Sequence, residues 1–500
     1  MTAAPPLPPM PFSLGYGTNG FTDHPLPIAL ELLAEQGYGA VALTLGHPHL
    51  DPFAEDLDAQ LQALRETLRE LGLRVVIETG TRFLLDPRHK HKPALVDEEA
   101  ATRVSFLCRA VDIAAALDAE CVSFFSGVLP DGASPETGWQ RLIPRVAEIV
   151  EYARGRNVLV AVEPEPGMLV ETVSDALRLR AELDEPDNLR VTVDIGHCVV
   201  VEPDGVRGAL LQAGPLLANI QLDDMRPHAH EHLPFGEGTV DLTSALATLA
   251  ELDYRGVAAV ELPRHSYDGP GLAVRSMGAL RSAWEEVHAM KERERWLEES
   301  TTAVAADPAS LPRIFALAAR RVGRKPLHPD TDPTGVLFGA VSDHARGELI
   351  GRLGGLLPPD QLAETLLGLY NRGDSSERRG VLRGLSALAT ASPALPGVVV
   401  GVGLRLTEEA LRTNETSLVA AAVGPFAAAH LDQHSWRHAV LKLVFMGISL
   451  RAVTDLDERA DTELARMASD YAAERTAAGR PIPDDVHLLL RSSSGYSTSS

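Results

Sequence analysis

The stretch Val191–Gly238, VTVDIGHCVVVEPDGVRGALLQAGPLLANIQLDDMRPHAHEHLPFGEG, decides how the rest of the chain is read. It holds two short apolar runs, Val191–Val193 and Leu217–Leu222, each running into groups that bind metals or move protons. The first leads to Asp194 and His197, the second to Gln221, Asp223 and Asp224. His228, His230 and His232 follow in what reads as a loop, closed by the turn-forming Gly236 and Gly238. Buried strands that stop abruptly at carboxylates and imidazoles are how a parallel barrel builds a site at its strand ends.

The same rhythm extends outward in both directions. Upstream lie the apolar runs Phe12–Gly17, Ala40–Leu45, Val75–Ile77, Cys121–Phe125 and Val158–Val162, and downstream lies Val257–Val260. Helical patterns separate them at Pro27–Gln36, Ala54–Leu71, Glu98–Leu117, Trp139–Arg154, Ser174–Leu183, Gly205–Ala213 and Leu242–Leu252. In Ala54–Leu71 the leucines at 57, 61, 64, 68 and 71 keep three- and four-residue spacing, and Gly72 stops the run. Strands alternating with helices imply a parallel sheet, and eight of them imply a closed (β/α)8 TIM barrel over residues 12–290. A doubly wound open sheet is the alternative, but no G-x-G-x-x-G follows the first strand.

Beyond Gly269 the pattern changes. A charged helix is expected over Leu272–Glu299, a linker over Thr301–Ser310, and a mostly α-helical second domain over 310–490. Helical spacing recurs there at Leu311–Val322, Gly335–Leu356, Asp360–Leu369, Glu377–Ala391, Thr407–Leu411, Trp436–Phe445 and Asp461–Ala478. Only Val398–Val402 has the composition of a strand, and the terminal SSSGYSTSS reads as a low-complexity tail.

Composition narrows the function classes. The 45% hydrophobic and 23% charged content is that of a globular protein. A formal charge of −23 argues against a nucleic-acid partner and suits a small-molecule substrate. The three cysteines, Cys108, Cys121 and Cys198, have no metal-type spacing and read as buried thiols in a reducing compartment. MTAAPPLPPMPF lacks the features of a signal peptide and no apolar run reaches membrane-spanning length, so a cytoplasmic location without membrane insertion is expected.

Four strand ends supply oxygen ligands: Glu163, Asp194, Gln221 and Glu261, each about one βα unit from the next. Such spacing puts all four on one rim of neighbouring strands. Three carboxylates in one mouth repel unless a cation holds them or a proton is shared. Oxygen-rich coordination favours a divalent metal ion, Mn²⁺, Mg²⁺ or Co²⁺, with Zn²⁺ suited if imidazoles dominate.

Residues 12–265 resemble the xylose-isomerase-like TIM-barrel superfamily of sugar isomerases, epimerases and endonuclease-IV-type enzymes. The likeness rests on VAVEPEP around Glu163, TVDIGH around Asp194 and His197, HEHLPFGEG from His230, and AAVELPR around Glu261. It implies a metal-dependent isomerase or epimerase of a small sugar or polyol-like metabolite. Glu163, Asp194, Gln221 and Glu261 would hold the metal, and Glu163 and Glu261 would exchange the protons. His197, His230, His232 and Arg264 would bind substrate. Gln221, in NIQLDD, stands where the superfamily usually has a histidine. The helical region, through WRHAVLKLVFMGISL (Trp436–Leu450) and Leu456–Arg480, is similar to the EboA family over about 310–480. That likeness implies secondary metabolism and partner enzymes of an Ebo-type operon; barrels of this group also often form oligomers.

Other readings stand beside these. The strand-end carboxylates could pair with arginines or cap helices, and Gln221 could be a plain hydrogen-bonding residue. Glu78 could pair with Arg82. His228 reads as solvated surface, and His47 and His49 as either mouth or loop. His89-Lys-His-Lys92 reads as a solvated loop, with phosphate binding the sharper alternative. At the level of function, the alternatives are a non-catalytic binding or delivery protein and a metal-dependent phosphoesterase.

Overall fold

In the computed structural model, which describes residues 9–329, 331–392 and 394–491, the apolar runs become a closed barrel. Its strands are β1 (Ser13–Gly17), β2 (Ala40–Thr44), β3 (Arg74–Glu78), β4 (Val122–Phe124), β5 (Val160–Val162), β6 (Leu189–Asp194) and β7 (Leu217–Leu222). A hairpin, β8 (Asp224–Arg226) and β9 (Ala229–Leu233), precedes the eighth barrel strand, β10 (Val257–Val260). The strands close in the order β1-β10-β7-β6-β5-β4-β3-β2, all pairs parallel. The leader reading, for residues 1–8, and the tail reading, for 492–500, fall outside the described residues.

Small inward side chains plug the barrel: Ala40, Ala42, Val76, Cys121, Ala161, Val257 and Ala259 form one fully buried cluster. Strand side chains alternate faces, so a residue two places on points inward one layer higher. That register carries Val76 to Glu78, Cys121 to Ser123, Ala161 to Glu163 and Ala259 to Glu261. The apolar layer therefore dictates the polar one above it.

The surrounding helices are amphipathic. In α2 (Leu57–Leu71), after α1 (Leu26–Glu35), the leucines at 57, 61, 64 and 68 are buried, and Gly72 ends the helix in the left-handed conformation. Each such leucine contributes roughly 1.5–3 kcal/mol of burial. The ring continues through α3 (Ala101–Leu117), α4 (Pro135–Arg154), α5 (Val173–Ala181), α6 (Ile195–Val201), α7 (Gly205–Ala213) and α8 (Leu242–Glu251).

The chain divides into two compact units, Met1–His288 and Ala289–Ser500. The expected linker at 301–310 is instead mostly helix: α9 runs Gly269–Ala306, and a 3₁₀ turn at Pro308–Ser310 follows. TTAVAA offers no Gly or Pro to stop the helix before Pro308. The named elements of the second unit are helices. Its core is drawn chiefly from α10 (Leu311–Arg321), α11 (Val341–Leu353), α12 (Pro359–Arg372), α13 (Ser375–Ala391) and α14 (Gly397–Arg412). A further cluster centres on Trp436, Val440, Leu443 and Val444, all buried as their spacing predicts.

Val398–Val402, the strand-like segment, lies in α14. Val399, Gly403, Leu406 and Ala410 bury at helical period, and a Cβ on Gly403 would meet the Phe426 ring at 2.2 Å. Tertiary packing overrides β-propensity here. No helix among the described residues is long and apolar enough to cross a membrane. Cys121 and Cys198 are buried, while Cys108 is only half-buried.

Candidate active site

Asp194 ends β6 and also caps α6. Its Oδ1 accepts the backbone N–H groups of Gly196 (2.7 Å) and His197 (3.1 Å). The capping alternative is thus realised by one oxygen, while the other, Oδ2, is buried with no hydrogen-bond partner. His197 Nδ1–H donates to Pro164 O at 3.2 Å, which leaves its Nε2 lone pair 3.6 Å from Asp194 Oδ2. Glycine at 196 is required by close approach, since a Cβ there would lie 2.2 Å from Asp223 Oδ1.

The segment expected as a loop is the antiparallel ribbon β8–β9. The alternation of β9 puts His230 and His232 on one face, 5.5 Å apart between ring centroids. His228 sits exposed in the turn. His232 Nδ1 donates to Asp223 Oδ2 at 2.7 Å and lies 3.7 Å from Asp194 Oδ2. Asp224 is structural: its carboxylate accepts the N–H groups of Gly236, Gly238 and Val240. Gly236 has φ +92°, which favours glycine.

Glu78 does not pair with Arg82. Its Oε1 accepts the amides of Asn219 (2.9 Å) and Gln221 (2.7 Å), while Arg82 donates to Pro263 O. Gln221 is thereby held with Oε1 buried and unpartnered. Glu163 Oε2 accepts the Ser123 hydroxyl at 3.3 Å, and Glu261 Oε1 accepts the Asn19 amide at 2.9 Å. Arg264 donates to His230 O at 3.2 Å.

Crowded acids shape the electrostatics. Burial, then repulsion from Glu165, Glu78, Glu261 and Asp194, holds the Glu163 carboxyl well above the usual range. Burial, then Glu261, pushes Glu165 to about 8. Burial opposes a charge on His232, but Glu261, Asp223 and Asp194 outweigh it and raise it to about 10. Burial would raise Asp194 too, yet His197 and His232 hold it low. Burial, then His197 and His232, pushes His230 down to about 3. His232 is therefore one of the positive charges that offset the carboxylates.

Among the described residues, three groups offer donor atoms within 4.8 Å of one another: Glu163–Asp194–His197, Asp194–His232–Glu261 and His197–His230–His232. Asp194 Oδ2, His197 Nε2, Gln221 Oε1 and Asp223 Oδ1 are all buried without partners. Unsatisfied buried polar atoms are costly, and a mixed oxygen–nitrogen set of this kind fits a divalent cation.

Above them opens a cavity of about 390 Å³, walled by Glu78, Glu163, Glu165, His197, His232 and Glu261 among others. Arg264, His47 and His49 line it too. Asp194, Gln221 and His230 are not among its lining residues. Lys90 and His91, expected in a solvated loop, also face the cavity. Sequence reasoning missed Asn19, Ser123 and Glu165; for Glu165 its place in EPEP, two after Glu163, was the available signal.

A closed (β/α)8 barrel with a polar cavity at its strand ends is the architecture of a TIM-barrel enzyme site. The chain belongs to the xylose isomerase-like TIM barrel family, whose model matches residues 30–283. A second model, that of the metabolite traffic protein EboA, matches residues 391–491, overlapping the C-terminal part of the expected 310–480 and extending beyond it. The uncharacterized protein MJ1311 of Methanocaldococcus jannaschii is 25% identical over 261 residues, covering 48% of this chain and 80% of that protein. The L-ribulose-5-phosphate 3-epimerase UlaE of Salmonella paratyphi C is 26% identical over 242 residues, covering 47% and 84%. A crystal structure of a D-tagatose 3-epimerase-like protein shares 21% identity at TM-score 0.46, covering 55% of this chain and 98% of that one.

Proposed function

We propose that the barrel is a divalent-metal-dependent isomerase or epimerase of a small sugar or polyol-like metabolite, serving the handling of secondary-metabolite precursors. The observation that carries this reading is the set of partnerless buried donors, Asp194 Oδ2, His197 Nε2 and Gln221 Oε1, beneath a cavity walled by Glu163 and Glu261. The epimerase relatives support the reaction class. Glu163, Asp194, Gln221 and Glu261 would hold the ion, with Mn²⁺, Mg²⁺ or Co²⁺ preferred by the oxygen donors and Zn²⁺ by the imidazoles. When bound, the ion would polarise the substrate carbonyl and stabilise charge on the adjoining carbon.

Glu163 and Glu261 directly follow β5 and β10, strands separated around the barrel by β6 and β7. They reach a substrate carbon from different sides, so one removes its proton and the other returns a proton to the opposite face. Ser123 and Asn19 orient these two carboxyls. His232 donates to substrate oxygen, and Arg264 and His197 bind hydroxyls; His230, expected to bind substrate but outside the cavity lining, steadies the imidazole cluster instead.

The test is elemental analysis of the purified protein beside the Glu163→Gln and Glu261→Gln variants, followed by ketose epimerisation assays. A near-stoichiometric divalent ion, diminished in both variants, supports the reading. A wild-type protein that takes up no Mn²⁺ or Co²⁺ would overturn it. The EboA match favours a second reading, a delivery protein with a non-catalytic barrel, which a bound metal and turnover would exclude.

A further inference from the structure

In a chain of formal charge −23, the mouth of the cavity is lined by three cations, Arg82, Lys90 and Arg264. Backbone bonds gather them. The His91 N–H donates to Arg82 O at 2.7 Å, which sets Lys90 beside Arg82. Arg82 in turn donates to Pro263 O at 2.9 Å, next to Arg264. Arg264 is fixed by His230 O. Among the described residues, none of the three lies within ion-pair distance of a carboxylate, although Glu165 and Glu261 attract Lys90 and Arg82 from inside the cavity.

We propose that Arg82, Lys90 and Arg264 form an anion subsite that takes a phosphate or carboxylate terminus of the substrate. The proposal rests on reading the cavity as a sugar site, and deepens that reading by naming a charged substrate class. Three converging like charges repel one another unless an anion joins them. Each guanidinium spends one N–H on a backbone carbonyl and keeps others for a bidentate contact. His91 adds a neutral ring to the same wall, with Nδ1 buried and unpartnered. Burial, then Lys90, Arg103 and Arg82, pushes this imidazole down to about 4, as a cationic neighbourhood requires. Carboxylates at the bottom and cations at the mouth would orient a substrate with its anionic end outward.

The test is calorimetric binding to the full-length protein of L-ribulose 5-phosphate, D-glucuronate and neutral L-ribulose, repeated with an Arg82→Gln/Lys90→Gln double variant of unchanged thermal unfolding. At least one anion is expected to bind about tenfold tighter than L-ribulose, and the double variant to abolish that preference. Preference for the phosphate ester assigns the terminus as phosphate, and preference for glucuronate assigns a carboxylate. Binding of neither anion above the neutral sugar, or a preference that survives in the double variant, overturns the proposal. The second result would place anion recognition at a metal instead. Metal content and turnover, measured separately, report on the isomerase reading, so the two can fail independently.

Discussion

The Gln221 amide on β7 donates to the Glu78 carboxylate on β3 at 2.7 Å, tying two strands that are not neighbours across the barrel. This bond fixes which end of the amide is free. In Gln221→Leu the buried carboxylate keeps only Asn219 as an amide donor. A loss of about 1–3 kcal/mol in urea unfolding is expected, together with weaker metal uptake. An unchanged midpoint would show that the bond is dispensable.

Gly196→Ala tests the close approach under α6. A methyl group 2.2 Å from Asp223 Oδ1 must displace either Asp223 or the helix start. Destabilisation of roughly 1–3 kcal/mol is expected, with reduced metal content because the Gly196 N–H holds the Asp194 carboxylate in place. Thermal unfolding and elemental analysis read the two effects separately.

His232 makes the metal-free protein sensitive to alkali. Its folded value, about 10, lies above the ordinary 6.5, so its contribution is complete below about pH 6.5 and is lost as pH rises through 10. The raised Glu165 adds the same sign, because the folded state again holds more protons. Chelated protein should therefore unfold more readily at pH 9 than at pH 7, and His232→Gln should flatten that dependence. A metal-free midpoint independent of pH across this window would contradict the charge balance described for the site.

In the helical unit, Asp461 caps α19 (Thr462–Ala477), which follows α15 (Thr416–Ala421), α16 (Pro425–His430), α17 (Gln433–Met446) and α18 (Leu456–Arg459). It also accepts from Arg437 and Gln433. Arg437 is the main reason its carboxyl is held at about 2. That contribution is present above the ordinary value near 4 and is lost as pH falls toward 2. Asp461→Ala should cost about 1–2 kcal/mol at neutral pH. Circular dichroism during acid titration should show the wild type losing this advantage over the variant below about pH 4.

The barrel was legible because buried parallel strands and amphipathic helices have distinct periods, as Ala40–Thr44 and Leu57–Leu71 show. The strand-end acids followed from the same register. The ribbon was missed although His228-Ala-His-Glu-His232 alternates with period two, since its five residues carry no apolar stripe. Glu78 was matched to Arg82 by nearness in sequence, whereas its partners lie 141 and 143 residues away. Asn19 reaches Glu261 only because β1 closes onto β10. Contacts made by closure leave no local mark on a sequence. Val398–Val402 shows the opposite failure, a local preference overruled by the helical burial of Val399, Gly403, Leu406 and Ala410.

Asp224, which grips the N–H groups of Gly236, Gly238 and Val240, has a consequence for traffic through the cavity. A segment clamped by one buried carboxylate is a doorpost rather than a door. The ribbon bearing His230 and His232 is anchored beside that clamp, so its imidazoles stand as fixed walls rather than moving parts.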